Sequence, residues 1–524
     1  MTEEGPRTVN LSLISHTNAG KTTLVRTLLG RDVGEVRDAA HVTEVATGYV
    51  MLQADADTLM LWDTPGFGDT ARLVSRLRVS GNPIGWLLTQ VWDRFRDRPL
   101  WSSQQAVRNA RDEADVILYL VNASEDPAGA AYVPLEMEVL AWVGKPVVLL
   151  LNQTGPPGEQ SRSDEGRWSR HLAESDLVRD TMTMDAFARC WVQEGELLKR
   201  IDPLLPPDKR AAMPRLAAAW AERNLERFHR SMQVLAQQLA DAATSREEIP
   251  DRNIGDRIRG AILNPAGGDH SPEAQRAMGR LAERLDVEIR RSTDELIALH
   301  GLSGRAAREV LKRLKRDYTE SAPAREGVAT VLGGLISGAA GGLAADLAAG
   351  GLTLGAGMLV GSVLGAFGAK TAARGYNMAR GEETNAVRWS EDFLAGMTRS
   401  ALLRYLAVAH FGRGRGDWEE GEHPTHWQAA VEKVVAGEQA ALRSAWGRAK
   451  DGREAVAGAL EPVLARAAER LLVGLYPEAE EIFAADDRRF RRRAAEGRGP
   501  PPALPARAAA GTSTLPPDEW PKLV

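Results

Sequence analysis

The sequence predicts an α/β fold: a phosphate-loop domain on a three-layer, mostly parallel sheet, followed by an all-α domain that contains a glycine-rich apolar hairpin. Three observations predict it. A short apolar run, Val9 to Ile14, leads directly into a glycine- and lysine-bearing loop and then a helical stretch. Two continuous apolar runs, 114–121 (ADVILYLV) and 146–151 (PVVLLL), read as buried parallel strands with helical segments between them. From Asp208 onward the apolar period changes to steps of three and four, the stripe of amphipathic helices.

Composition bounds the rest. The 524 residues carry a net charge of −5, with 26% charged and 44% apolar positions, so the chain is neither wholly disordered nor a polytopic membrane protein and is long enough for two or three domains. That near-balance gives no general drive toward nucleic acid. The single cysteine, Cys190, excludes an internal disulfide and any multi-cysteine metal site. The opening MTEEGPRTVN is polar, without the apolar core of a secretory signal, and a cytoplasmic start is expected.

In the first domain, Ser15, His16, Thr17, Asn18, Ala19, Gly20, Lys21, Thr22 and Thr23 stand between the strand and the helix. This order is what a phosphate cradle needs: backbone N–H groups face the anion, Lys21 reaches the outer phosphates and the Thr22 hydroxyl can hold Mg2+. The usual pattern is G-x-x-x-x-G-K followed by Ser or Thr, and here Ser15 takes the first glycine's place. Residues 44–53 and 58–61 read as strands around the polar turn 54–57. The second runs into Trp62-Asp63-Thr64-Pro65-Gly66, an aspartate and a backbone turn placed for Mg2+ and a γ-phosphate. The 146–151 strand leads into Asn152-Gln153-Thr154-Gly155.

These motifs resemble the Era/TrmE group of translation-factor-class GTPases, relatives of septins and dynamins, across roughly residues 8–200. Together with the helical second half they resemble bacterial GTPases that carry a C-terminal domain of unknown function. The resemblance implies GTP/GDP and Mg2+ as ligands, with Lys21 and Thr22 on phosphate and metal. It makes Thr43 the switch threonine, Asp63 a metal contact and Gly66 the second-switch sensor. Asn18 sits where K+-stimulated members place an asparagine, which implies K+. Three departures stand out. The base motif N-K-x-D reads Asn152-Gln153-Thr154-Gly155, without the aspartate that selects guanine. Phe67 replaces a water-orienting glutamine, so hydrolysis needs another group, a partner or a cation. Asp185 and Ala186, followed by Phe187, are the candidates for the turn that backs the base.

About forty residues before the 114 strand hold Trp86, Trp92 and Trp101 with Arg94, Arg96 and Arg98, read as an elaborated switch helix or an interaction surface. His16 and His41 flank the phosphate region. In the second half, Leu225, Phe228, Met232, Leu235 and Leu239 form a helical stripe, and 286–317 and 427–472 have helical character. Residues 327–369 differ. They hold 13 of the 50 glycines and one ionisable group, Asp346, which divides them into 19 and 23 residues. Each half approaches the ~20 residues that span a bilayer, with glycines at four-residue spacing and basic flanks. A membrane hairpin with both flanks cytoplasmic is the expectation, against a buried hairpin in a helical bundle. After Tyr476 come the arginines at 488–493 and a Pro/Ala-rich tail.

The expected organisation is a GTPase domain over 1–205, helical regions over 206–326 and 370–495 around the hairpin at 327–369, and a disordered tail over 496–524. The expected function is a membrane-associated molecular switch that hydrolyses GTP, located in the cytoplasm at or in the inner membrane, with lipid and a nucleotide-dependent homodimer as partners. A nucleotide-binding scaffold or membrane-inserting protein with little hydrolysis, and an ATP-preferring variant, are the alternatives.

Overall fold

The computed structural model describes residues 6–30, 33, 45–89, 97–154, 159–173, 175–186, 190–248, 272–302, 376–380, 385–411 and 425–495. Its first part is a six-stranded sheet in the order β2-β3-β1-β4-β5-β6. The strands are β1 (Thr8–Ser15), β2 (Thr47–Ala54), β3 (Asp57–Asp63), β4 (Val116–Asn122), β5 (Val147–Asn152) and β6 (Val178–Thr183). Only β2, an edge strand, is antiparallel to its neighbour. The other pairs run parallel, with Leu13 opposite both Asp63 and Leu118.

The apolar runs are continuous because both faces of the central strands are covered. On β4, Ile117, Tyr119 and Val121 join a core with Ile14, Leu149 and Leu151. That core lies under α2 (Thr70–Leu77), α3 (Pro83–Thr89), α4 (Arg98–Asp112) and α5 (Tyr132–Val143). Leu118 and Leu120, on the opposite face, are also fully buried. Helices α1 (Lys21–Leu29), α6 (Glu159–His171) and α7 (Trp191–Ile201) complete this part. Trp86 and Trp101 are half-buried on α3 and α4, while Trp92, Arg94 and Arg96 lie outside the described residues.

A short helix α8 (Pro207–Arg210) leads into α9 (Met213–Thr244), the spine of the helical part. Leu225, Phe228, Met232, Leu235 and Leu239 are all buried on it, as their spacing predicts. Around it lie α10 (Pro272–Leu299), α11 (Glu391–Ala409), α12 (Thr425–Gly437), α13 (Gln439–Trp446) and α14 (Arg453–Leu475). The stretch of helical character over 427–472 is made of three helices, α12 to α14. Arg404 of α11 is buried and donates to Ile289 O (3.1 Å), Ser292 Oγ (3.1 Å) and Thr293 Oγ1 (2.7 Å) on α10, and to Gln238 of α9. One guanidinium therefore ties three helices together.

The helical part is not all-α. A three-stranded antiparallel sheet in the order β7-β9-β8 joins β7 (Arg246–Glu248), β8 (Tyr376–Arg380) and β9 (Asn385–Trp389). These strands are too short, and β7 too distant in sequence from its partner, for local patterning to reveal the pairing.

The expected location is corrected as well. Among the described residues no helix is long and apolar enough to cross a membrane, so a membrane-inserted hairpin is not supported. Residues 327–369 themselves lie outside the described residues, as does the tail over 496–524. The segment's glycines and alanines are only weakly apolar, and glycine costs ~1 kcal/mol relative to alanine in a helix interior. A final helix, Ala479–Ala495, begins with Glu480 and Glu481 in its first turn and carries the arginine-rich run.

Two carboxylates fasten the helical part to the amino ends of the strands. Asp57, at the start of β3, accepts from Arg7 N (3.2 Å) and from Arg215 Nε of α9 (2.7 Å). Asp115, just before β4, accepts from Asn10 N (2.8 Å) and Lys209 Nζ of α8 (2.8 Å). On the same connection, Trp220 Nε1 donates to Glu194 Oε2 at 3.0 Å and its ring lies 5.9 Å from that of Trp191.

Candidate nucleotide site

The site lies at the carboxyl ends of the parallel strands, where β1 ends and α1 begins. The connection needs left-handed backbone at Asn18 (φ 66°) and Gly20 (φ 91°). An asparagine tolerates it and a glycine adopts it freely. At Gly20 a side chain is excluded twice, since an added Cβ would sit 2.7 Å from Asn152 Nδ2. Helix α1 starts at Lys21, so its N-terminal N–H groups face the loop.

Lys21 is buried, and its Nζ donates to Ser15 Oγ at 2.8 Å. The serine in the glycine's place thus holds the lysine across the loop. Burial pushes the Lys21 ammonium down to about 8, partly offset by the nearby carboxylates of Asp63 and Glu136. Thr22 Oγ1 donates to Asp63 Oδ2 at 2.7 Å, so the two side chains expected at a metal share one spot. Thr23 is buried inside α1.

The segment after β3 is folded onto the loop. Thr64 Oγ1 donates to Leu13 O (2.5 Å), Phe67 N to Ser15 O (2.9 Å) and Thr17 N to Phe67 O (3.1 Å). Gly66 lies so close that a Cβ would be 2.9 Å from Thr17 Cα and 3.0 Å from Lys21 Nζ. The Phe67 ring is fully buried in the core. It offers no group to orient water.

Asn152 joins the loop to the far side of the site. Its Nδ2 donates to Ala19 O (3.0 Å) and its Oδ1 accepts from Ala186 N (2.9 Å). Ala186 O in turn accepts from Thr27 Oγ1 of α1 at 2.9 Å. Asp185 is buried beside this turn, and Gln153 has left-handed backbone (φ 60°). The structure therefore brings together Ser15, His16, Thr17, Ala19, Gly20, Lys21, Thr22, Asp63, Gly66, Asn152 and Ala186. Thr43, His41, Gly155 and Phe187 lie outside the described residues.

Among the described residues no group of three or more His, Cys, Asp or Glu side chains could hold a metal. The paired oxygens of Thr22 and Asp63 still fit Mg2+, which binds through one or two protein oxygens while nucleotide phosphates and water complete its shell.

Sequence reasoning missed Glu136. Its carboxylate is fully buried on α5 and accepts from Tyr119 Oη at 2.6 Å and Thr70 Oγ1 at 3.1 Å, with His16 Nδ1 at 2.6 Å. The signal was there: Val133, Glu136, Met137 and Leu140 share one helical stripe, and a carboxylate on an apolar stripe demands buried partners. Tyr119 is pushed well above its usual value by burial and by this carboxylate.

Two family models match the chain. One, described as a 50S ribosome-binding GTPase, covers residues 10–153, and the other, a domain of unknown function named DUF3482, covers 178–465. The second match begins at β6, so it takes in the last strand of the sheet and α7. Similar solved structures include Era in complex with MgGDPNP and a segment of 16S ribosomal RNA, 18% identical, covering 38% of this chain and 57% of that one (TM-score 0.29). A variant of Aquifex aeolicus Era bound to GDP and AlF4− is 15% identical and covers 56% of this chain and 98% of that one (TM-score 0.29). A variant of S. thermophilus NFeoB bound to GMPPNP is 15% identical and covers 42% and 79% (TM-score 0.22). The phosphate loop, the Asp63–Gly66 segment and the match over 10–153 make the first domain a P-loop GTPase, a GTP-binding hydrolase. With more than half of its length matched by the second model, the chain belongs to the DUF3482 family.

Proposed function

We propose that this GTPase is a molecular switch of the Era/TrmE type whose nucleotide state is read by the helical part. One observation carries the reading. The β2–β3 hairpin joins the expected first switch, around Thr43, to the 63–70 segment, and its tip is fastened to α9 by Asp57 and Arg215. Any shift of the two switch segments on hydrolysis pulls on a hairpin already tied to the helical spine.

Lys21 neutralises charge on the outer phosphates, and the N–H groups of the loop and α1 cradle them. Thr22 and Asp63 would hold Mg2+, which supplies charge neutralisation between the phosphate oxygens when bound. Asn18 is the candidate K+ ligand, and the backbone of Gly66 the γ-phosphate sensor. Because Phe67 is buried, intrinsic turnover is slow, on the order of 10⁻⁴ s⁻¹, until a cation or partner positions the water. Without the guanine-reading aspartate, preference for GTP over ATP is weakened.

The test is single-turnover hydrolysis with Mg2+, in K+ and in Na+, for wild type and Lys21→Ala, beside hydrogen exchange of α9 with GDP and with a non-hydrolysable GTP analogue. Lys21-dependent turnover and a nucleotide-dependent change in α9 are expected. Identical exchange in the two states removes the coupling.

A further inference from the structure

Among the described residues, Glu136 is a buried carboxylate whose partners come from both sides of the nucleotide site. His16 belongs to the phosphate loop and Thr70 is the first residue of α2, directly after the segment that bears Gly66 and Phe67. Both bond the same oxygen, Oε1, while Tyr119 of β4 holds Oε2. The His16 ring is further held by stacking on Tyr132, with centroids 4.4 Å apart. A carboxylate accepts, so Nδ1 of His16 carries the proton in this bond.

Resting on the GTPase reading above, we propose that Glu136 is a positioning residue for hydrolysis: it locks the phosphate loop and the 66–70 segment in one register. The geometry explains why such a lock matters here. Phe67 contributes only backbone to the site, through Ser15 and Thr17, so the position of Gly66 over Lys21 depends on what anchors the chain just beyond it. Those anchors are Gly68 N to Ser103 Oγ of α4, at 3.1 Å, and Thr70 to Glu136. The first ties the segment to a neighbouring helix. The second adds a side-chain tie back to the phosphate loop, through His16, beside the backbone bonds of Phe67. A misplacement of about 1 Å at such a contact can cost two orders of magnitude in rate while leaving ground-state binding intact.

Glu136→Gln keeps the volume but removes the charge and turns one acceptor into a donor, so at least one of the three partners must reverse its bond or lose it. Thr70→Val removes a single hydroxyl with little change of shape. The experiment measures single-turnover kcat, KM for GTP and Kd for GDP on full-length wild type, both variants and the double variant. We expect kcat to fall about tenfold in Glu136→Gln and about threefold in Thr70→Val, with Kd for GDP within about threefold of wild type. The double variant should fall no further than Glu136→Gln alone, because both changes cut one linkage. Should Glu136→Gln not fold, Thr70→Val decides. Wild-type kcat in Thr70→Val, a matching loss of affinity and kcat, or additive effects overturn the inference. An inactive wild type instead overturns the hydrolase reading, and the inference with it.

Discussion

The two ends of the six-stranded sheet use buried polar groups in opposite ways. At the amino ends, Asp57 and Asp115 are each satisfied by a backbone N–H and a cation from the helical part. At the carboxyl ends, Lys21 is buried with a hydroxyl as its nearest partner, and burial pushes its ammonium down to about 8. The first arrangement is complete and holds two parts of the chain together. The second leaves a desolvated cation without a direct ion pair, which in the proposed switch the nucleotide phosphates would supply.

The largest expected effect lies at the carboxyl ends. Lys21→Ala should lower GTP turnover by at least about a hundredfold, measured by phosphate release, because it removes the charge that faces the transferring phosphoryl group. Its fold should persist, since it removes a desolvated cation. Asp115→Ala should show the reverse: a loss of about 2 kcal/mol in denaturant unfolding, with turnover within about twofold of wild type. It leaves Asn10 N and Lys209 without their acceptor at the end remote from the phosphates. A strong turnover defect in Asp115→Ala would break the contrast.

The third prediction sharpens it through pH. A lysine titrating near 8 in the free protein must be protonated to pair with phosphate, so GDP affinity should weaken about tenfold between pH 7 and pH 9. The stability term has the opposite sign. The unfolded lysine keeps its proton up to about 10.5, so the native state gains stability from this group as pH rises from 8 toward 10.5. GDP titrations at several pH values check the first part, and the slope should vanish in Lys21→Ala. The smallest effect belongs to neither end. Arg72 and Asp97 pair at 3.0 Å on the exposed surface, and Arg72→Ala should change unfolding free energy by about 0.5 kcal/mol or less.

Much of the site was legible because its chemistry is local. The order of strand, loop and helix at 9–29, the aspartate closing β3 and the asparagine closing β5 are each set by residues adjacent in sequence. The turn at Asp185 and Ala186 was singled out from sequence as well, and Ala186 N does meet Asn152 Oδ1. What was not legible joins residues far apart. Glu136 meets His16 across 120 positions and Arg215 meets Asp57 across 158. The small sheet of the helical part pairs Glu247 with Val387. The apolar glycine-rich run shows the converse: composition and spacing pointed to a membrane, yet a run of weakly apolar residues does not by itself specify its surroundings.

The sequence by itself therefore determined the phosphate loop, the central strands and the amphipathic stripe of α9, because hydrophobic period and turn chemistry act over a few residues. Only the tertiary structure decided which buried charges meet an opposite charge and which meet a hydroxyl. Burial and partner choice are properties of the packed chain, and they set whether an aspartate is a fastening or a lysine is a site.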